Sequence, residues 1–283
     1  MINPIYRLPV LILLAGLAVN AAAAEKECPA AKKNINDSNN LIMLSGTAKG
    51  DIRLVVAGMV GKDLDEQARS SISFDTCGAL IEEAYDYHKT EGRMTLRMSN
   101  HTVKSADGWE SEYDIAIILD QDGKPTLVNH KQGKSRFFTG KNGVITSSTD
   151  AFTINERPGF TTGTYDYDNN LRLVKSTARG TDAFSNDEYI YAYDKKGYFI
   201  SMRSNHGQTR YQYDADGREA GSFSVSRTPV SQLTKVEQCQ RNDDVGNCIL
   251  SYGSDTEILP QSIIRRHRST ATQYQYWDSA ESH

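Results

Sequence analysis

Large aliphatic side chains are scarce in this chain of 283 residues, whose mean hydropathy is −0.55. Leu, Ile, Val and Phe together supply only about a fifth of it, a share that borders on the composition of disordered chains. Disorder also requires strong net charge, and Lys+Arg 32 against Asp+Glu 36 leave a formal charge of −4. The same near balance, with no long basic run, removes the electrostatic case for nucleic acid or an anionic membrane as partner. Motifs of familiar chemistries are missing too. There is no Gly-x-Ser-x-Gly elbow and no Ser with Lys three positions on. Gly133-Lys134-Ser135 imitates the end of a phosphate loop, but Val128 stands where that loop needs its first glycine. The histidines His88, His101, His130, His206, His267 and His283 include no pair at metal-ligand spacing. The expectation is a non-enzymatic protein with no catalytic residue, metal or cofactor.

What is present begins with a processing signal. Arg7 precedes a short apolar run from Leu8 to Val19, and Ala21 to Ala24 supply a small-residue cleavage site. Residues 1–24 therefore read as a secretory signal peptide that is cleaved after Ala24, the apolar run being well short of the ~20 residues of a membrane span. Residues 25–48 read as a polar leader and 49–283 as a single β domain, located in the periplasm. A bacterial lipid anchor needs small or apolar residues directly before its cysteine, whereas Glu25, Lys26 and Glu27 precede Cys28. Lipid anchoring is not expected, nor is any transmembrane span. The compartment permits disulfides. Cys239 and Cys248 bracket a polar, hairpin-like stretch, which makes Cys239 with Cys248 and Cys28 with Cys77 the simplest of the three pairings that Cys 4 allows.

Alternation of period two is frequent and helical periodicity rare. Met94, Leu96 and Met98 share one strand face, as do Tyr113, Ile115, Ile117 and Leu119. Lys62 to Arg69 is the one stretch with some helical character, and it fits a strand or long loop equally well. Between strands the pattern Asp-x-x-Gly returns at Asp75–Gly78, Asp120–Gly123, Asp194–Gly197 and Asp214–Gly217, with Gly140–Gly143 as a variant. Asp accepts hydrogen bonds from turn amides and Gly takes the left-handed conformation that closes a hairpin. Upstream of several tips sits a tyrosine pair: Tyr165 and Tyr167, Tyr191 and Tyr193, Tyr211 and Tyr213. Tyr at i and i+2 puts two rings on one strand face. The unit forms an internal repeat, and the expected fold is all-β with little helix: a curved antiparallel sheet or partly closed meander of a dozen or so strands built of hairpins.

The Tyr-x-Tyr-Asp-x-x-Gly unit resembles the YD repeat of Rhs-type proteins, in which successive hairpins build a long curved sheet. The match covers Tyr191 to Arg203 and Tyr211 to Gly221, and more weakly Tyr165 to Ser176, where Leu171 replaces the glycine. From about Lys49 to Tyr276 the order of features is similar to the YnfC-like enterobacterial lipoproteins: the Cys77 turn, the Tyr-x-Tyr-Asp hairpin, the Thr228-Pro229 loop, the Cys239 to Cys248 hairpin and a terminal tyrosine-bearing strand. That resemblance implies an envelope protein without an assigned activity. It transfers no functional residue, and this chain lacks the family's lipid-modified cysteine.

The remaining candidates are weighed residue by residue. Asp166, Asp168 and Asn170 begin like a calcium loop, but Leu171 and Thr177 stand where its glycine and bidentate glutamate belong, so a structural turn is expected. Glu110 and Glu112 share a strand face, the placement a carboxylate pair needs for acid and base work. Arg265, Arg266, His267 and Arg268 form the one basic cluster and read as charge protecting an exposed strand edge. The strongest positive signal is the tyrosines: Tyr165, Tyr167, Tyr191, Tyr193, Tyr211 and Tyr213 form the candidate binding surface, with packing for a chain short of aliphatics as the competing role. The leading expectation is a binding protein that engages an envelope protein or a glycan. The alternatives are an envelope polysaccharide hydrolase using a carboxylate pair and, by analogy with Rhs systems, an immunity or inhibitor protein against a delivered toxin.

Overall fold

A computed structural model describes residues 28–182 and 185–277; the expected signal peptide at 1–24 and His283 lie outside the described residues. Among the described residues one helix, α1 (Ala30–Leu44), is followed by β1 (Ile52–Gly61), β2 (Asp65–Phe74), β3 (Leu80–Glu91), β4 (Met94–Lys104), β5 (Gly108–Gln121), β6 (Lys124–Thr139), β7 (Ile145–Ile154) and β8 (Arg157–Tyr167). The second half continues with β9 (Leu173–Gly180), β10 (Asp187–Tyr193), β11 (Phe199–Arg203), β12 (Gly207–Tyr213), β13 (Glu219–Arg227), β14 (Gln232–Asn242), β15 (Cys248–Leu259) and β16 (Ser262–Tyr276). Each strand pairs antiparallel with the next. β1 also pairs with β16, from Ile52 opposite Tyr276 to Gly61 opposite Arg268, so the sheet closes into a barrel. The expected all-β class holds, but the sheet is fully closed and has more strands than the meander read from sequence. Closure satisfies the two backbone edges that an open sheet would leave unpaired. Lys62 to Arg69 belongs to the β1–β2 turn and the start of β2, with no helix.

Strand alternation divides the side chains into an inner and an outer set. On β5, Trp109, Ser111 and Tyr113 point inward, while Glu110, Glu112 and Asp114 point outward into ion pairs with Arg136, Lys134 and His130. Outward pairs also join Glu82 to His101 and Lys175 to Glu188. The inner wall is zoned. Near α1 an apolar cluster of Ile52, Val55, Phe74, Leu80, Trp109 and Ile145 packs against Ile42, Met43 and Leu44 of the helix. Toward the other end the inner wall carries charge: Arg266 bridges Glu91 and Glu257, and Arg268 holds Asp255 at 2.6 Å. The basic cluster is therefore no guarded edge. β16 is paired on both sides, and alternation sends Arg266 and Arg268 inward. A Cβ on Gly159 would stand 2.3 Å from the Phe152 ring, so only glycine leaves room for the ring at this position.

Residues 30–44 form α1, which sits in the end of the barrel that holds the β2–β3, β6–β7 and β8–β9 turns. Its Asn and Ser side chains, which lower intrinsic helix stability in isolation, here satisfy turn backbone. Asn36 and Asn40 donate to the carbonyls of Cys77 and Gly78. Asn39 donates to Gly143 O and accepts from Ile145 N, both at 2.9 Å. Ser38 does the same between Leu171 O and Leu173 N. Cys28 is disulfide-bonded to Cys77 beside the helix N-terminus, and Cys239 to Cys248 across the β14–β15 hairpin, as read from sequence.

The Asp-x-x-Gly tips behave as their chemistry requires. Asp75, Asp168, Asp194 and Asp243 each accept at least two turn amides on Oδ1. At the β8–β9 tip Leu171 occupies the glycine position with φ 61. Left-handed backbone costs a β-carbon-bearing residue roughly 1–2 kcal/mol. Leu171→Gly is therefore expected to raise stability by about 1 kcal/mol in urea unfolding; a loss would mean that the Leu171 side chain contributes more packing than its backbone costs.

Candidate functional site

The repeated tyrosines face into the barrel, not onto an exposed outer sheet, and their hydroxyls follow a rule. The second of each pair donates to a backbone carbonyl behind the preceding tip on the plugged end: Tyr167 to Ile145, Tyr193 to Leu173 at 3.1 Å and Tyr213 to Phe199 at 3.1 Å. The first meets a serine on the neighbouring strand in two copies, Tyr165 with Ser148 and Tyr191 with Ser176, while Tyr211 donates to Ser45 O at the end of α1. Tyr165, Tyr167, Tyr191, Tyr193 and Tyr211 pack around Leu41, Leu173 and Phe199. The rings thus supply the core that the aliphatic shortage leaves open. Burial pushes the hydroxyls of Tyr165 and Tyr213 up to about 12, so both stay neutral at any physiological pH.

Half of the predicted set also lines a cavity. Tyr193, Tyr211 and Tyr213 form part of a pocket of about 430 Å³ between α1, the 45–50 linker and the tips of the β10–β11 and β12–β13 hairpins. Tyr165, Tyr167 and Tyr191 do not reach it. The other functional groups in it were not singled out from sequence: Asp37, Lys49, Arg172, Lys196, Tyr198 and Glu219. Lys49 lies 4.5 Å from the Tyr198 ring centroid and 4.9 Å from that of Tyr213, a cation between two aromatic faces. Loss of water lowers its ammonium pKa, opposed by Glu219 and Asp214. Burial raises the Glu219 carboxyl, opposed by the Cys248 amide. Arg172 stacks over Tyr193 at 4.9 Å while its Nε holds Asp168 at 2.8 Å, so the Asp166 to Asn170 segment is a turn locked by an arginine.

Asp37 is reachable by solvent, yet it stands in a concavity with protein on most sides. That desolvation pushes its carboxyl up to about 6, Lys33 acting against it. The folded pKa lies above the ordinary aspartate value of 3.8, so the charged form disfavours folding, and the penalty develops between those two pH values. Asp37→Asn is expected to stabilise the protein at pH 8 and to leave stability unchanged near pH 4, as read by chemical unfolding at both. Equal effects at the two pH values would contradict the shifted carboxyl.

Glu110 and Glu112 are not drawn into a groove; each faces outward in an exposed cross-strand pair. Among the described residues no group of three His, Cys, Asp or Glu is placed to hold a metal ion, and no helix is long and apolar enough to cross a membrane. A larger concavity of about 840 Å³ along β3–β8 carries Tyr85, Asn100, Tyr113 and Phe152 and none of the repeat tyrosines.

No family model matches the chain, and no curated protein matches it. Among solved structures, a porin-like protein from Bacteroides uniformis ATCC 8492 aligns over 81% of this chain and 99% of its own, at 9% identity and a TM-score of 0.46.

Proposed function

We propose that the protein is a non-enzymatic, periplasmic binding protein whose ligand is an envelope glycan, held at the pocket between α1 and the tyrosine hairpins. The observation that carries this reading is the convergence of Tyr193, Tyr198, Tyr211 and Tyr213 with accessible polar groups in one recessed cavity. Aromatic faces beside hydrogen-bonding groups suit a sugar ring, which offers both an apolar face and hydroxyls. A protein partner fits less well, since a specific protein interface buries roughly 800 Å² per side and the tyrosines are recessed. The outward ion pairs on β3–β6 favour a barrel standing in water, because a lipid-facing barrel wall presents an apolar band about 25 Å tall. The two disulfides suit an oxidising compartment. Secretion and cleavage after Ala24 complete the reading.

The test is a glycan array together with a pull-down on isolated envelope polysaccharide, using the mature chain. Saturable binding that Tyr198→Ala abolishes without loss of β-sheet circular dichroism supports the proposal. A blank in both assays contradicts it.

A further inference from the structure

A second cavity lies between α1 and the first two strands, and none of the repeat tyrosines lines it. Its volume is about 190 Å³, and Leu44 of the helix with Ile52, Val55, Ile72 and Phe74 of the wall make it mainly apolar. An apolar cavity of about 150 Å³ already accepts a benzene-sized molecule. Two side chains on one face of α1, Asp37 and Asn40, bring acceptors to this cavity. Asn40 is 7% exposed. Its Nδ2 donates to the Gly78 carbonyl at 2.9 Å, which fixes the orientation of the amide and leaves Oδ1 buried with no donor among the described residues. The neighbouring Asn39, by contrast, has both ends of its amide satisfied. A buried acceptor left without a donor is costly, and a ligand that supplies one recovers that cost. The Asp37 carboxyl also enters no hydrogen bond or ion pair among the described residues, because Lys33, one turn before it, is held by Asp51 at 2.7 Å.

We infer that this cavity binds a small primary amine with an apolar body, its ammonium between Asn40 Oδ1 and the Asp37 carboxylate and its body against Val55, Ile72 and Phe74. An ammonium carries three donors and a charge, so it serves both acceptors at once. An alcohol brings a single donor, and an organic anion meets Asp37 as a like charge. Water satisfies Oδ1 but leaves the apolar walls unfilled. Asp37 and the linker residues Gly46, Thr47, Ala48 and Gly50 line this cavity and the tyrosine pocket alike, so the two adjoin, but the amine site does not depend on the glycan reading.

The experiment is calorimetric titration of the mature chain at pH 8 with three probes of similar size: phenethylamine, phenethyl alcohol and phenylpropionate. Phenethylamine is expected to bind about tenfold tighter than the alcohol, and phenylpropionate more weakly than either. In a chain labelled at the Ile, Leu and Val methyls, nuclear Overhauser effects are expected from the phenethylamine ring to Val55 and Ile72. Asp37→Asn, at a position that solvent reaches, is expected to bring amine and alcohol to within about twofold of each other. Equal affinity for amine and alcohol in the unaltered chain, or ring contacts away from Val55 and Ile72, would overturn the inference. Binding of none of the three would overturn it as well and leave the cavity to water. A glycan array, positive or blank, reads only the tyrosine pocket, so failure of one site is distinguishable from failure of the other.

Discussion

Replacing both Cys28 and Cys77 by serine is expected to lower stability by about 4 kcal/mol, the chain-entropy value for a loop of this length. The two cysteines are separated by 49 residues, and the loop they close contains all of α1. For a domain of this size the loss corresponds to a fall in melting temperature of roughly 10 °C. The Cys239–Cys248 bridge, with a separation of 9, closes a hairpin that the β14–β15 ladder already holds, and its removal is expected to cost about 2.5 kcal/mol. Thermal unfolding of the two double-serine variants checks the order. The larger effect must belong to the bridge that tethers the helix; the reverse order would mean that α1 contributes little to the fold.

Asn39→Ala is expected to cost roughly 3 kcal/mol although it removes no apolar contact of note. Asn39 is 1% exposed, and its amide satisfies the Gly143 carbonyl and the Ile145 amide together. Truncation leaves a buried acceptor and a buried donor unpaired, at about 1–3 kcal/mol each. Asn39→Asp provides the contrast. It can still accept from Ile145 N but cannot donate to Gly143 O, so it is expected to be destabilised and to recover in part at a pH where the new carboxyl is protonated. Urea denaturation of the variants measures these effects, and a loss below 1 kcal/mol for Asn39→Ala would show that water takes the place of the amide.

These two predictions concern the part of the molecule that its sequence conceals best. Helix assignment by pattern depends on apolar residues recurring every three or four positions. In α1 the buried positions are Asn36, Ser38, Asn39 and Asn40, with Leu41 the one aliphatic among them. The helix docks through amide-to-turn hydrogen bonds, so its signature is the composition of a loop. Barrel closure was equally out of reach, since β1 meets β16 only across almost the whole described chain and no local pattern encodes that pairing. The inward side of the wall was also hard to assign where both faces are polar, as on β5, where Ser111 turns in and Glu112 turns out.

Other features were legible because their causes are local. The Asp-x-x-Gly tips follow from turn chemistry confined to four residues. The Cys239–Cys248 pairing follows from a hairpin, and the shared face of Met94, Leu96 and Met98 from strict alternation. The tyrosine pairs were recognised as a repeat, but their dual role was not: the same rings fill the core around Phe199 and line the pocket beside it. The further pocket groups are dispersed, from Asp37 in the helix to Glu219 at the start of β13, and only the docking of α1 brings them together.

The central claim, that the cavity between α1 and the tyrosine hairpins is the ligand site, is tested most directly by fluorine NMR of the mature chain labelled with 3-fluorotyrosine, titrated with a glycan that the array identifies. The resonances of Tyr193, Tyr198, Tyr211 and Tyr213 are expected to shift with a common saturation point while those of Tyr85 and Tyr113 stay in place. Shifts confined to Tyr85 and Tyr113 would move the site to the β3–β8 concavity and contradict the account.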